Sequence, residues 1–111
     1  AKPGTALIDA PLRDADGRAH FLTDIFHRLG CRFTLLTYER PDGATLAGNL
    51  THIAIGTGGF SDPSGAFAER WGAEPGAAFL LRPDGYVAAR MKAPTAERID
   101  AARRRACAQT A

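Results

Sequence analysis

"FTLLTYERPDG", residues 33–43, joins an apolar run rich in β-forming residues to a Pro-Asp-Gly turn. Such a run, near-continuous rather than alternating, predicts a strand over residues 33–38 that is buried on both faces in the middle of a sheet. In α/β proteins ligands and catalytic groups gather just past the carboxyl end of a strand of this kind. Here that position carries Glu39, Arg40 and Asp42, with no cysteine, histidine or serine.

Working outward, "THIAIGT" at residues 51–57 is a second short β-rich run, and the segment between the two strands has room only for a stunted crossover helix around residues 45–50. Upstream, the Asp16-Gly17 pair predicts a hairpin turn, Thr23 a helix cap, and Ile25, Phe26 and Leu29 one apolar helix face that stops at Gly30. Downstream, Asp62 is the expected cap of a helix with Pro63 in its first turn. Phe67 and Trp71, four residues apart, share a face of that helix, which Gly72 closes. "AAFLLRPDGYVAARM" then predicts strands over residues 77–81 and 86–91, joined by the tight turn Arg82-Pro83-Asp84-Gly85 into an antiparallel hairpin. Thr95 caps a final helix with Ile99, Ala102 and Ala106 as its buried stripe, Glu97 and Asp100 early, and Arg103, Arg104 and Arg105 late, matching the helix dipole. Two parallel strands joined through a helix, another helix, an antiparallel hairpin and a last helix make an α/β fold, a thioredoxin-like mixed sheet with helices on both faces.

Composition narrows the function. At 111 residues and 45% hydrophobic, the chain is long enough for one domain that buries roughly two-thirds of the surface of its unfolded form. Fourteen basic residues against 12 acidic ones give a net charge of +2, too balanced for a nucleic-acid or membrane-surface protein. Cys31 and Cys107 form no CxxC pair, which argues against a disulfide scaffold or a zinc ribbon and for a reducing cytoplasm. The chain shows neither a membrane-length apolar run nor a signal-peptide pattern. Residues 1–6, polar and containing Pro3 and Gly4, are expected to be a linker from an N-terminal region not present here, with the domain proper at residues 7–111.

The stretches "APLRDADGRAHFLTDIF", "FTLLTY" and "DPSGAFAERWGAEPGAAFLLRPDGYVAAR", in that order, followed by an Arg/Ala-rich helix, resemble the C-terminal domain of flavin-dependent aromatic-ring hydroxylases of the phenol hydroxylase and 3-(3-hydroxyphenyl)propionate hydroxylase type. The resemblance spans nearly the whole chain. It implies a thioredoxin-like fold and a parent enzyme that uses FAD and NAD(P)H to insert one oxygen atom from O₂ into a phenolic ring. Its partners would be the N-terminal flavin and substrate domains of the parent chain, with a homo-oligomer also open. For this chain alone the expectation is no bound cofactor, no metal and no catalytic residue. No strand leads into GxGxxG, and "GTGGFSDPSG" has glycines without the spacing of a dinucleotide or phosphate loop.

In an active thioredoxin a cysteine at a helix N-terminus follows the central strand, where the helix dipole makes the thiolate reactive. Residues 38–43 hold none, and Cys31 precedes the strand. Other candidates have structural explanations. His27 and Cys31 have metal-ligand spacing, but Gly30 breaks the helix between them. His20 and His52 are expected to be surface or hydrogen-bonded strand residues rather than catalysts. Asp42 and Asp62 are accounted for by a turn and a cap, leaving Glu39 without a partner for acid-base work. The arginine run is a solvated helix face, and Phe67 and Trp71 are core residues. The alternatives are a free-standing thioredoxin- or peroxiredoxin-like protein that uses Cys31 or has a degenerate redox site, and a protein-binding module.

Overall fold

A computed structural model describes residues 4–57 and 59–110, the side chains of Gln109 and Thr110 excepted. The elements run β1 (Pro11–Arg13), β2 (Ala19–Phe21), α1 (Leu22–Arg28), β3 (Thr34–Tyr38), α2 (Gly43–Ala47), β4 (Thr51–Ile55), α3 (Ala66–Trp71), β5 (Ala78–Leu81), β6 (Val87–Met91) and α4 (Ala96–Thr110). β3 and β5 are the apolar runs, and both lie inside a four-stranded sheet of order β4-β3-β5-β6. β3 and β4 are parallel, with Leu36 opposite Ile53. β3 and β5 are antiparallel, as are β5 and β6, whose register is interrupted at Leu80/Leu81. β1 and β2 form a separate antiparallel hairpin around Asp16-Gly17, tied to the body by the Arg13 and Ser61 backbones.

Strand alternation divides the core. Leu36, Ile53, Phe79 and Leu81 face α1 and α3, where they pack with Phe26, Phe67 and Trp71. Leu35 and Ala78 face the other way, toward Ala47 of α2 and Ile99 of α4. Helices on both faces of a mixed sheet are the arrangement expected. Phe67 and Trp71 are both fully buried. Trp71 stacks on Phe67 at 5.4 Å, meets Phe79 edge-on at 5.1 Å, and its indole N–H donates to the Ile8 carbonyl at 2.7 Å.

Several local details differ from expectation. Thr23 does not cap α1; it lies within the helix, and its N–H donates at 3.0 Å to Asp9, which comes from 14 residues upstream. Asp62 lies outside α3, whose first residue is Ala66, yet its two carboxylate oxygens accept the N–H groups of Phe67 and Ala68 at 3.1 Å. It does a cap's work across a turn, which leaves Pro63 outside the helix. The crossover helix occupies Gly43–Ala47, earlier than expected, because the glycine can enter the tight space beneath it. Thr95 caps α4 as expected, accepting the Arg98 N–H at 3.1 Å. Because α4 runs on to Thr110, Arg103, Arg104 and Arg105 sit mid-helix and do not complement the dipole. The lead is hydrogen-bonded from Gly4 onward: Gly4 donates to Val87, Val87 to Thr5 and Leu7 to Gly85, which lays residues 4–7 along the start of β6.

Candidate functional site

β3 delivers the chain to the sheet's carboxyl edge at Tyr38, and Glu39 follows with a φ of 54°. That left-handed turn is unusual for a residue with a side chain. It is held on both sides: the Glu39 N–H donates to the Ile55 carbonyl at 2.9 Å, and the Thr57 hydroxyl donates to the Glu39 carboxylate at 3.3 Å. The carboxylate lies against Gly56, where an added Cβ would sit 2.3 Å from its Oε1 and where φ is +92°. Only glycine satisfies both conditions.

Arg40 closes the turn. Its Nε and Nη2 donate to the two oxygens of Asp42 at 2.9 Å, and Nη1 donates to the Gly76 carbonyl at 3.0 Å. The guanidinium thus joins the loop after β3 to the loop before β5. A second tie is backbone to backbone, Gly76 N–H to the Tyr38 carbonyl at 2.8 Å. The bidentate hydrogen bond from Arg40 keeps the Asp42 carboxyl below its usual pKa and raises that of Arg40. An ionised Asp42 whose oxygens are both engaged is an acceptor only. Tyr38 is pushed the other way, its phenol made harder to ionise first by burial and then by the charges of Glu39 and Asp62. Of the three carboxylates considered for acid-base work, Asp42 and Asp62 each have both oxygens occupied within their own turn or helix start, and Glu39 is held by Thr57.

The thiols lie elsewhere. Cys31 follows Gly30 at the opposite, amino-terminal side of β3, with a φ of 50° and its side chain half-buried against the α1 core. It shares a cavity of about 220 Å³ with Phe26, His27 and Leu7. The His27 ring is held by Nδ1–H donation to the Thr23 carbonyl at 2.8 Å. Cys107 is on α4, and among the described residues neither cysteine is in a disulfide. Among the described residues no group of three or more His, Cys, Asp or Glu side chains could hold a metal ion. No helix among them is long and apolar enough to cross a membrane.

His20 is hydrogen-bonded, as expected. Its Nε2–H donates to Asp14 at 2.8 Å, and Arg28 donates to its Nδ1, also at 2.8 Å. His52 is likewise hydrogen-bonded in its strand, with a partner that its spacing does not name. Its Nε2 is 2.8 Å from the hydroxyl of buried Thr37, directly beneath the first residue of α2. A Cβ at Gly43 would lie 2.6 Å from that hydroxyl and 2.8 Å from the imidazole. Burial pushes the His52 pKa down, favouring the neutral ring. The only sequence signal for this packing is Gly43 itself, which reads equally well as turn chemistry.

The fold with this edge is similar to that of several solved proteins. The flavin-dependent monooxygenase PieE, solved with FAD and substrate, matches 87% of this chain at 33% identity and a TM-score of 0.64. Aklavinone-11 hydroxylase, solved with FAD and aklavinone, matches 91% at 26% identity and a TM-score of 0.73. The chain spans only 18% and 21% of the length of those two proteins. At the level of fold alone, the thioredoxin domain of a thiol-disulfide oxidoreductase from Bacteroides vulgatus matches 81% of this chain and 88% of its own, at 12% identity and a TM-score of 0.59. No curated protein sequence gives a significant match. The model of the family described as aromatic-ring hydroxylase, C-terminal, matches residues 1–110, and the chain belongs to that family.

Proposed function

We propose that this chain is a non-catalytic C-terminal domain of an FAD- and NAD(P)H-dependent aromatic hydroxylase, whose parent inserts one oxygen atom from O₂ into a phenolic ring. Its own work is structural, through contacts with the flavin and substrate domains of the parent or with a second copy. The observation that carries this reading is the closed turn after β3. The place where a redox relative would present a thiolate is filled by the Arg40–Asp42 pair and clamped to Gly76. Two cysteines outside any disulfide fit a reducing compartment, and the cytoplasm is the proposed location.

The residues present do not fit a flavin. A pyrophosphate needs a glycine turn that opens a helix and lets the phosphates approach the backbone. The glycine-rich loop after β4 leads instead to a bridge at Phe60, and a Cβ at Gly59 would lie 2.2 Å from the Ala54 carbonyl. That glycine serves a close approach of the chain to itself. FAD and the nicotinamide cofactor are therefore assigned to the rest of the parent.

Titration of the purified chain with FAD and NADPH tests the reading. The expected result is no change in flavin fluorescence and no NADPH oxidation; stoichiometric flavin uptake would overturn it. Peroxide consumption tests the thiol alternative: a rate that Cys31→Ser abolishes would establish that chemistry, and the expected rate is none.

A further inference from the structure

The lead of the chain is held by its backbone. The side chains of Thr5 and Ala6 are exposed, as is Gly4. Yet the Gly4 N–H donates to the Val87 carbonyl at 2.7 Å, the Val87 N–H to the Thr5 carbonyl at 2.8 Å and the Leu7 N–H to the Gly85 carbonyl at 2.7 Å. With Ala6 opposite Tyr86 in the antiparallel sense, these bonds add a short strand at the start of β6, an edge strand of the sheet. Gly4 and Thr5 together face Val87, a bulge whose first residue needs a positive φ, and Gly4 supplies it at 85°. The next residues cross the deeply packed face. Leu7 and Ile8 lie against the cluster under α1 and α3. The Ile8 carbonyl accepts the Trp71 indole N–H at 2.7 Å, the Asp9 carbonyl accepts from Arg70 at 3.1 Å, and the Asp9 carboxylate accepts the Thr23 N–H at 3.0 Å. A stretch of six residues thus ties β6, α3 and α1 together, and none of these bonds runs to α2 or α4.

We infer that residues 4–9 are the seat by which the parent chain holds this domain: the extended segment leading in from the flavin and substrate domains is captured by strand addition at the start of β6, and any displacement of it is passed to the α1/α3 core. This rests on the function proposed above. The parent is the partner because about four-fifths of the length of the two matched flavin proteins lies outside the region this chain covers. Strand addition takes its affinity from main-chain hydrogen bonds, so positions 4–6 are held although nothing packs over them. A flexible linker would leave those groups to water and the direction of entry free. Here the antiparallel register fixes that direction, and the lead also covers edge groups of β6 that would otherwise stand open to another strand. The segment expected as a linker is therefore part of the domain from Gly4 onward.

Two substitutions loosen the seat. Gly4→Ala penalises the backbone alone, because an added Cβ meets nothing within 4 Å while φ is +85°; Gly17→Ala, in the β1-β2 turn, has the same φ and the same open surroundings and is its matched control. Leu7→Pro removes the donor to Gly85, and Leu7→Ala, which keeps that donor, controls for the lost side chain. Two rates are read: hydrogen exchange of the Val87 amide in the 111-residue chain, and proteolytic cleavage between residues 4 and 9 in the full-length parent. Gly4→Ala and Leu7→Pro are expected to raise both about tenfold over their controls, the cost of forcing a side chain into the left-handed region. Exchange of the Leu36 amide, deep in the sheet, should stay as in the wild type; if Leu7→Pro raises it too, Gly4→Ala alone decides. Val87 exchange equal in Gly4→Ala and Gly17→Ala, or a wild-type parent cut between residues 4 and 9 as fast as the loosened variants, would overturn the seat. A wild-type parent that purifies without flavin would instead refute the functional reading, while the exchange contrast in the 111-residue chain stands or falls independently of it.

Discussion

The two faces of the sheet are built from the same strands but to different depths. Among the described residues, 14 buried ones under α1 and α3 form one cluster centred on Phe67, Trp71 and Phe79, whereas the cluster under α2 and α4 is Leu35, Ala47, Ala78 and Ile99. The first face carries the stability and the second has surface to spare.

The largest effects should fall on the packed face. Trp71→Ala removes a side chain with no exposure and is expected to destabilise by about 4 kcal/mol, whereas half-buried Leu46→Ala on the other face should cost roughly 1 kcal/mol. Urea denaturation of both variants checks the ratio, and equal losses would break the comparison.

Gly43→Ala comes next. Its methyl group must displace the Thr37 hydroxyl or the His52 ring, and about 2 kcal/mol is expected if α2 is held rigidly on the sheet. A loss under roughly 0.5 kcal/mol would mean that α2 simply lifts, so that the open face is also loose. Thr95→Ala should cost about 1 kcal/mol, since its hydroxyl satisfies an N–H of the first turn of α4.

The smallest effect is a pH dependence. His52 binds its proton less readily in the folded chain than in the unfolded one. Its contribution to stability is therefore complete above the ordinary histidine pKa of roughly 6.5 and is lost as pH falls toward the lower folded value. Denaturation midpoints measured through the weakly acid range should fall in the wild type and flatten in His52→Gln. The carboxylates of Asp14, Asp42 and Asp100, held below their usual pKa chiefly by hydrogen bonds from His20, Arg40 and Arg103 respectively, lose stabilisation only in a lower, separate window.

Capping shows how far local reading reaches. Thr95 was recognisable because the donor it satisfies is three residues away. Only the cap of α1 was misread, because the carboxylate that receives the Thr23 N–H is Asp9, brought in by the β1-β2 hairpin. The Asp62 role was legible and its position was not: the carboxylate reaches Phe67 and Ala68 across an intervening turn. At the sheet edge, Arg40 and Asp42 are neighbours in the chain, but the clamp exists only because Gly76, 36 residues on, arrives beside them.

By itself the sequence determined the elements and their order, since apolar period, turn residues and nearby caps act over a few residues. It likewise determined that no sulfur follows the central strand. Only the tertiary structure decided that Arg40 seals the place of that missing thiol, that His52 and Thr37 meet under Gly43, and that one face of the sheet is packed more deeply than the other. Those outcomes depend on which distant segments the sheet register places side by side, and residue spacing does not encode it.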